Sequence, residues 1–290
     1  MKKVIVIVGP TASGKTGLSI KLAKAIKAEI INGDSVQIYE GLDIGSAKIT
    51  MKEQAGIKHH LLSVASPKSN YHVYLFQQDA RKLIDEIERP MIVGGTGLYV
   101  QAALYDYHFE QNGNTFVNEE RYDGIDNETI YQELIKLDPD IIIDRNNRRR
   151  IIRAIEMAEQ GDLRSNKKGK NKPLYDALII YLDIDRQLLK ERLVTRLKKQ
   201  LEAGFLEETA GLRNKGIQPN IIGYRELNLY LDGIYTFAEA FDEIISVTMK
   251  LAKKQKTWFK NQMNPIILDA LDPNLEKQAL ATINEFLMKG

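Results

Sequence analysis

The chain has 290 residues, of which 43% are hydrophobic and 28% charged, and this length can bury a full core as one large domain or two smaller ones. It contains no cysteine, which excludes disulfides, thiolate nucleophiles and cysteine-based zinc sites and fits a reducing compartment. The net charge is only +2, but residues 119–144 are acidic while residues 145–172 and 249–260 are basic, so a polyanion can still bind locally. The apolar N-terminal run is far shorter than a membrane span, and we expect a cytoplasmic protein without a targeting segment.

The first predicted strand leads directly into a phosphate-binding motif. Five β-branched residues, Val4 to Val8, predict a strand buried on both faces. The G-x-x-x-x-G-K-[ST] motif that follows consists of Gly9, Pro10, Thr11, Ala12, Ser13, Gly14, Lys15 and Thr16. In such a loop the glycines let backbone N–H groups point at a phosphate, and the next helix adds the positive end of its dipole. Lys15 can reach phosphate oxygens and the Thr16 hydroxyl suits Mg²⁺, so we predict a bound di- or triphosphate with magnesium.

Two further strands bring polar residues to the same edge of the predicted sheet. Residues 28–32 predict a second parallel strand, which is followed by Asp34. Residues 91–93 predict a third strand, which is followed by a glycine-rich turn that contains Thr96. Because ligands bind at the carboxyl ends of parallel strands, we expect Asp34 and Thr96 beside the phosphate loop. The alternative for Asp34 is that it caps the following turn.

The rest of the chain is mainly helical by its hydrophobic periodicity. The predicted elements are a loop over 41–70, a helix over 71–88, a helix resuming at 98, two helices within 128–160, a strand over 177–182, a helix over 185–203, a loop over 216–223, a helix over 237–262, a strand over 265–269 and a helix over 273–288. The adjacent His59 and His60 do not face the same way and have no carboxylate at metal spacing, so we expect no zinc site.

These patterns predict an α/β protein with a P-loop NTPase-like parallel sheet core, helices on both faces and a mainly helical insertion domain. The core comprises residues 1–109 and 173–290, and the basic insertion comprises residues 110–172. For the oligomeric state, a monomer is the default expectation.

The residues around the phosphate loop are compatible with three functions, which are alkyl transfer, a kinase reaction and an NTPase switch. Most phosphate loops serve phosphoryl transfer, which requires a magnesium-positioning acid, but the third strand ends in Gly-Gly-Thr. The strand that ends at Asp183 has such an acid, but it follows the insertion and precedes a packing helix. The loop can instead hold pyrophosphate as the leaving group of an alkyl transfer, with Asp34 as the base and Lys15, Thr16 with Mg²⁺, and Thr96 stabilising the departing charge. The alternatives are a small-molecule or nucleotide kinase and a nucleic-acid-binding NTPase switch.

Seven motifs, in this order, resemble one enzyme family. They are Gly9-Pro-Thr-Ala-Ser-Gly-Lys-Thr16, Asp34-Ser-Val-Gln-Ile-Tyr39, Gly41-Leu-Asp-Ile-Gly-Ser-Ala-Lys48, His59-His-Leu61, Gly94-Gly-Thr-Gly-Leu-Tyr99, Ile222-Gly-Tyr-Arg-Glu226 and Lys253-Lys-Gln-Lys-Thr-Trp-Phe259. The set, which spans nearly the whole chain, closely resembles the bacterial tRNA dimethylallyltransferases, also called tRNA isopentenyltransferases or IPP transferases. The resemblance implies transfer of a dimethylallyl group from dimethylallyl pyrophosphate to the exocyclic amine of the adenosine 3′ to the anticodon. Such a target base has to be flipped into the enzyme.

The resemblance also implies roles for individual residues. Asp34 corresponds to the general base and Thr96 to a residue that helps to activate the pyrophosphate, which the phosphate loop holds with Mg²⁺. The residues implied to contact the tRNA anticodon loop are Asp34, Ser35, Val36, Gln37, Gln101, Arg148, Arg149, Arg150, Met249, Lys250, Lys253 and Lys254. Trp258 and Phe259, which interleave with the lysines, offer possible stacking surfaces for RNA.

Two positions depart from the family pattern. Ser46 stands where members often carry Thr, and the segment before Ile222 lacks an Arg found in some members. Arg225 is therefore the nearby candidate for contact with pyrophosphate.

Overall fold

The computed structural model describes residues 1–107, 118–166 and 172–289. The chain divides into two compact units, one formed by Met1–Leu104 with Leu174–Gly290 and the other by Tyr105–Pro173. The predicted insertion began at 110, outside the described residues, whereas the second unit begins at Tyr105. An antiparallel bridge between Tyr105 and Pro173 joins the two ends of this unit. Such a long-range pairing leaves no local mark in the sequence.

The first unit is built on one six-stranded sheet with the order β3-β2-β4-β1-β5-β6, in which every pair of neighbours is parallel. The strands are β1 (Lys3–Val8), β2 (Glu29–Asn32), β3 (His59–His60), β4 (Pro90–Gly94), β5 (Asp176–Asp183) and β6 (Ile266–Asp269). The predicted strands are confirmed, and β3 is an addition because two residues are too short to show an alternating pattern.

The helices with predicted bounds begin and end close to those positions, and residues 205–214 and 224–231 form two helices for which no bounds were predicted. The helices are α1 (Lys15–Ile26), α2 (Val73–Glu86), α3 (Gly97–Leu104), α4 (Asn127–Leu137), α5 (Arg148–Glu159), α6 (Arg186–Glu202), α7 (Phe205–Asn214), α8 (Tyr224–Leu231), α9 (Phe237–Met263) and α10 (Leu275–Met288). Of these, α4 and α5 belong to the second unit, where they enclose a small core of their own. Among the described residues, no helix is both long and apolar enough to cross a membrane.

Helices cover both faces of the sheet, as predicted. Side chains alternate along each strand, and the face that carries Ile5 and Ile180 packs against α1 and α10. The opposite face carries Val6 and Tyr181, and the Tyr181 ring lies 5.9 Å from the ring of Phe259 in α9. Because both faces are buried, the only accessible parts of the central strands are their ends, which is where the loops described below lie.

Candidate active site

The phosphate loop joins β1 to α1 and is held in a conformation that its sequence requires. Gly14 has φ +94°, a left-handed value that glycine adopts without strain, and it precedes α1 without any side-chain cap. A Cβ on Gly9 would lie 2.8 Å from the carbonyl oxygen of Leu182, so no larger residue fits there. Ala12 also has a left-handed backbone, with φ +66°. The first N–H groups of α1 are thus free of a side-chain cap, as an anion-binding loop needs.

The ammonium group of Lys15 contacts the backbone of the phosphate loop itself. Its Nζ donates a hydrogen bond to the carbonyl oxygen of Pro10 at 2.7 Å. Burial lowers the pKa of Lys15 to about 8, the carboxylate of Asp34 opposes that change, and the guanidinium of Arg196 adds to it. The hydroxyl of Ser13 is buried and has no hydrogen-bond partner among the described residues. A phosphate group would supply acceptors for both side chains.

Asp34 and Thr96 follow the neighbouring parallel strands β2 and β4, at the same edge of the sheet, as their places after predicted parallel strands suggested. The Asp34 carboxylate accepts a hydrogen bond from the backbone N–H of Val36 at 2.9 Å, and its charge acts on Lys15. The Thr96 hydroxyl accepts a hydrogen bond from the backbone N–H of Ser35 at 3.1 Å. Asp34 therefore makes the local turn contact of the capping alternative, and its charge also favours the protonated form of Lys15 in the phosphate loop.

Two arginines of α6 add positive charge that the sequence reasoning missed. Arg192 donates from Nη1 to the carbonyl oxygen of Ala12 at 3.5 Å. Burial lowers the pKa of Arg196, while the nearby charge of Asp34 favours the protonated form. Residues 185–203 show only an amphipathic packing pattern, so no local signal distinguishes these two arginines from the others on the helix.

Arg225, the predicted pyrophosphate contact, has a different partner in this structure. Its Nε donates to the carboxylate of Glu226 at 2.9 Å, and the same carboxylate group accepts a hydrogen bond from the backbone N–H of Gly223 at 2.7 Å. Glu226 is buried, so this ion pair secures the start of α8. A role of Arg225 toward pyrophosphate stays a prediction.

A tightly fixed loop, residues 42–48, lies between α6 and α7 and is called the clamped loop below. Glu208 accepts hydrogen bonds from three successive backbone N–H groups of this loop at 2.8–3.0 Å and from the Tyr224 hydroxyl at 2.6 Å. The carbonyl oxygen of Ser46 accepts a hydrogen bond from Arg196 at 3.4 Å. Ser46 donates its own hydroxyl to the loop, as a threonine can, so this departure from the family pattern preserves the contact. The clamped loop thereby helps to orient Arg196.

A cavity of about 750 Å³ opens between the clamped loop and α6. Its lining reaches the phosphate loop at Ala12 and combines apolar side chains with four cationic and three acidic ones, which are Lys48, Arg192, Arg196, Lys199, Asp43, Glu53 and Glu191. A pocket of this size and composition can hold a small ligand that has an apolar part and an anionic part.

The basic helix α9 has one exposed face and one core face. Lys250, Lys253 and Lys254 are exposed, as binding to RNA requires. Phe259, in contrast, is fully buried against Tyr181, so the expectation that it offers a stacking surface is wrong. The apolar period of the helix places it in the core. Lys256 is also engaged, in an ion pair with Asp183 at 2.7 Å.

The remaining predicted tRNA contacts differ in exposure. Arg149 and Arg150 of the second unit are exposed, whereas Arg148 is half-buried and donates to the carbonyl oxygen of Ile125 at 2.6 Å within that unit. Gln101 is only 3% exposed, so a contact there requires a nucleotide that enters the protein. In the first unit, Ser35, Val36 and Gln37 follow Asp34 and are half-buried, and Met249 has intermediate exposure.

The residues present fit a magnesium ion bound together with a diphosphate. Thr16 is exposed in the first turn of α1, where its hydroxyl can join phosphate oxygens as a ligand. Within the part of the chain that the structure describes, no group of three or more His, Asp or Glu side chains forms a metal site by itself. The Nε2 atom of His60 forms a hydrogen bond with the carboxylate of Glu29 at 2.7 Å.

Comparison with known proteins gives a consistent set of relatives. The family model described as IPP transferase matches residues 37–262. The tRNA dimethylallyltransferase of Acholeplasma laidlawii is 55% identical, covering 99% of both chains, and that of Bacillus subtilis is 40% identical, covering 96% of this chain and 95% of its own. A crystal structure of tRNA delta(2)-isopentenylpyrophosphate transferase from Staphylococcus epidermidis is 34% identical with a TM-score of 0.75 and covers 100% of both chains. A eukaryotic dimethylallyltransferase crystallised while acting on tRNA has a TM-score of 0.83 at 27% identity, covering 99% of this chain and 80% of its own.

Proposed function

The chain belongs to the IPP transferase family, and from this premise we propose that it is a tRNA dimethylallyltransferase. It transfers a dimethylallyl group from dimethylallyl pyrophosphate to N6 of the adenosine 3′ to the anticodon of tRNA and releases pyrophosphate. The observation that carries this proposal is the position of Asp34. Asp34 follows β2 at the edge of the sheet where the phosphate loop follows β1 and where the Ser35 N–H donates to the Thr96 hydroxyl at 3.1 Å. Its charge also favours the protonated forms of Lys15 and Arg196.

In the proposed reaction the adenine N6 attacks the first carbon of the dimethylallyl group. The N6–C bond forms, the bond between that carbon and the pyrophosphate oxygen breaks, and the bonding electrons leave with pyrophosphate. The proton released from N6 passes to the carboxylate of Asp34. General bases of this kind contribute about 10²–10⁴-fold to a rate.

The leaving pyrophosphate is stabilised by groups that are positioned before the reaction. Lys15, the first N–H groups of α1 and Arg196 supply donors and positive charge around the space that it would occupy. Because these groups are fixed by the fold, little reorganisation accompanies the development of negative charge. Mg²⁺, when bound at Thr16, would neutralise part of the diphosphate charge. The Thr96 hydroxyl, which donates to the Ser35 hydroxyl oxygen at 3.2 Å in this structure, would turn its proton toward a pyrophosphate oxygen.

Binding of tRNA is proposed to use the exposed lysines of α9 in the first unit and, separately, the exposed Arg149 and Arg150 of the second unit. Cationic side chains along a backbone path provide affinity, and the flipped adenosine provides the reacting group. The protein is proposed to act as a cytoplasmic monomer.

The direct test is mass spectrometry of nucleosides from hypomodified tRNA that was incubated with the protein, Mg²⁺ and dimethylallyl pyrophosphate. We expect N6-dimethylallyladenosine at the position 3′ to the anticodon. A kinase would instead convert ATP to ADP, and an NTPase switch would change its RNA affinity with nucleotide without modifying the RNA. If tRNA carries no label after incubation with the protein and tritiated dimethylallyl pyrophosphate, the proposal is refuted.

A further inference from the structure

Helix α9 is attached to the turn between β4 and α3 by two close contacts. The Nε2 atom of Gln255 donates a hydrogen bond to the carbonyl oxygen of Gly95 at 2.7 Å. One turn further along α9, the indole ring of Trp258 lies where a Cβ on Gly97 would sit, 2.3 Å from the Cε3 atom. Gln255 and Trp258 of α9 therefore both contact the turn between β4 and α3.

Thr96 lies between the two glycines and is held from the other side by the segment that carries the base. Its backbone N–H donates to the carbonyl oxygen of Gly33 at 3.2 Å, and its hydroxyl accepts from the backbone N–H of Ser35 at 3.1 Å. The hydroxyl also donates to the Ser35 hydroxyl oxygen at 3.2 Å. Thr96 is thus held by the segment that carries Asp34, while the residues on either side of it contact α9.

We propose that Gln255 is a positioning residue for the transfer reaction, and this inference rests on the function proposed above. Gln255 fixes the Gly95 carbonyl, and through it the peptide that leads to Thr96, so that the Thr96 hydroxyl keeps its place between Ser35 and the site of the leaving pyrophosphate. The side chain acts through Thr96 and does not touch the substrate. A backbone carbonyl accepts hydrogen bonds only, so the position requires a donor of the right length.

A series of substitutions at position 255 tests the need for a donor. Gln255→Lys keeps a donor on a slightly longer chain, Gln255→Met keeps the length without a donor, and Gln255→Glu places an acceptor against the carbonyl. We expect the single-turnover rate with saturating tRNA and donor to fall less than threefold for Lys, about 10-fold for Met and about 100-fold for Glu. The Kd for tRNA and the KM for dimethylallyl pyrophosphate should change less than twofold in the Met variant. Gln262→Glu is the control for charge, since Gln262 is exposed on the same helix.

A double-mutant cycle with Gly95 supplies an independent test. A Cβ at Gly95 would lie 2.7 Å from Gln255 Nε2, while its next contact, the carbonyl oxygen of Gly9 at 3.5 Å, is ordinary. Gly95→Ala should therefore slow transfer about 10-fold by displacing the glutamine. In a Gln255→Ala background the same substitution should cost less than twofold, because the two changes disturb one contact.

The outcomes separate this inference from the proposed function. If the wild-type protein does not transfer the dimethylallyl group, the proposed function fails. If the wild type transfers but Lys and Met at 255 are equally slow, or the Met variant keeps the wild-type rate, the positioning role is wrong. A Met variant that loses tRNA affinity in proportion to its rate, or additive effects in the cycle, would assign Gln255 a purely structural role and equally overturn the inference.

Discussion

Replacement of Asp34 by asparagine removes its ability to accept a proton but keeps its hydrogen bond to the backbone of Val36. The Asp34 carboxylate accepts a hydrogen bond from the Val36 N–H at 2.9 Å, and the oxygen of an asparagine amide can accept the same bond. The amide cannot take a proton from N6, so the rate should fall by the general-base contribution of about 10²–10⁴-fold, or about 3–5 kcal/mol in the barrier. Asp34→Ala also loses the turn contact, at a further cost of about 1 kcal/mol in stability.

The assay is a single-turnover measurement with preformed complex of enzyme and hypomodified tRNA, started by labelled dimethylallyl pyrophosphate. It should be run at pH 6.5, because loss of the Asp34 charge lowers the pKa of Lys15 below its value of about 8. The Kd for tRNA, measured by filter binding, should stay within threefold of the wild-type value. A rate for Asp34→Asn within threefold of the wild type would refute the assignment of Asp34 as the base.

Three other predictions follow from charges in the first unit. The double variant Lys253→Gln with Lys254→Gln should weaken tRNA binding and reduce the slope of log K against log salt by about 1.4–1.8, and an unchanged slope would leave these exposed lysines as ordinary surface. The affinity of the wild-type protein for pyrophosphate should fall above pH about 8, where Lys15 of the free protein loses its proton. The Lys15→Arg variant should bind pyrophosphate with constant affinity up to about pH 9.5, because an arginine stays protonated there. A wild-type affinity that does not change over this pH range would show that Lys15 does not contribute its charge to binding. Glu208→Gln should lower the free energy of unfolding, measured by urea titration, by about 2 kcal/mol, because one of the two carboxylate oxygens that accept hydrogen bonds is replaced by an amide nitrogen. The control is Glu207→Gln, for which no change is expected because Glu207 is exposed.

Local sequence patterns were sufficient for the elements that meet at the phosphate loop. The strand, the glycine spacing and the start of α1 are encoded within residues 4–16, and the order of the strands brings Asp34 and Thr96 to the same edge. The match to relatives over nearly the whole chain supports the family and the reaction that the motifs suggested.

Contacts between residues distant in sequence could not be predicted in the same way. Arg196 differs in no local respect from the other basic residues of α6, and only the packing of that helix brings it to Asp34. Glu208 follows the clamped loop by about 160 residues, so its four hydrogen bonds leave no periodic signal. Arg225, by contrast, stands inside a family motif, but an immediately adjacent carboxylate is its partner in this structure.

The central claim is that the phosphate loop holds a pyrophosphate that departs from carbon. The most direct measurement compares the amount of pyrophosphate released with the amount of dimethylallyladenosine formed in the same reaction, with and without ATP. We expect one pyrophosphate for each modified adenosine, without a requirement for ATP and without formation of ADP. Pyrophosphate release without modified tRNA, or a requirement for ATP with formation of ADP, would contradict it.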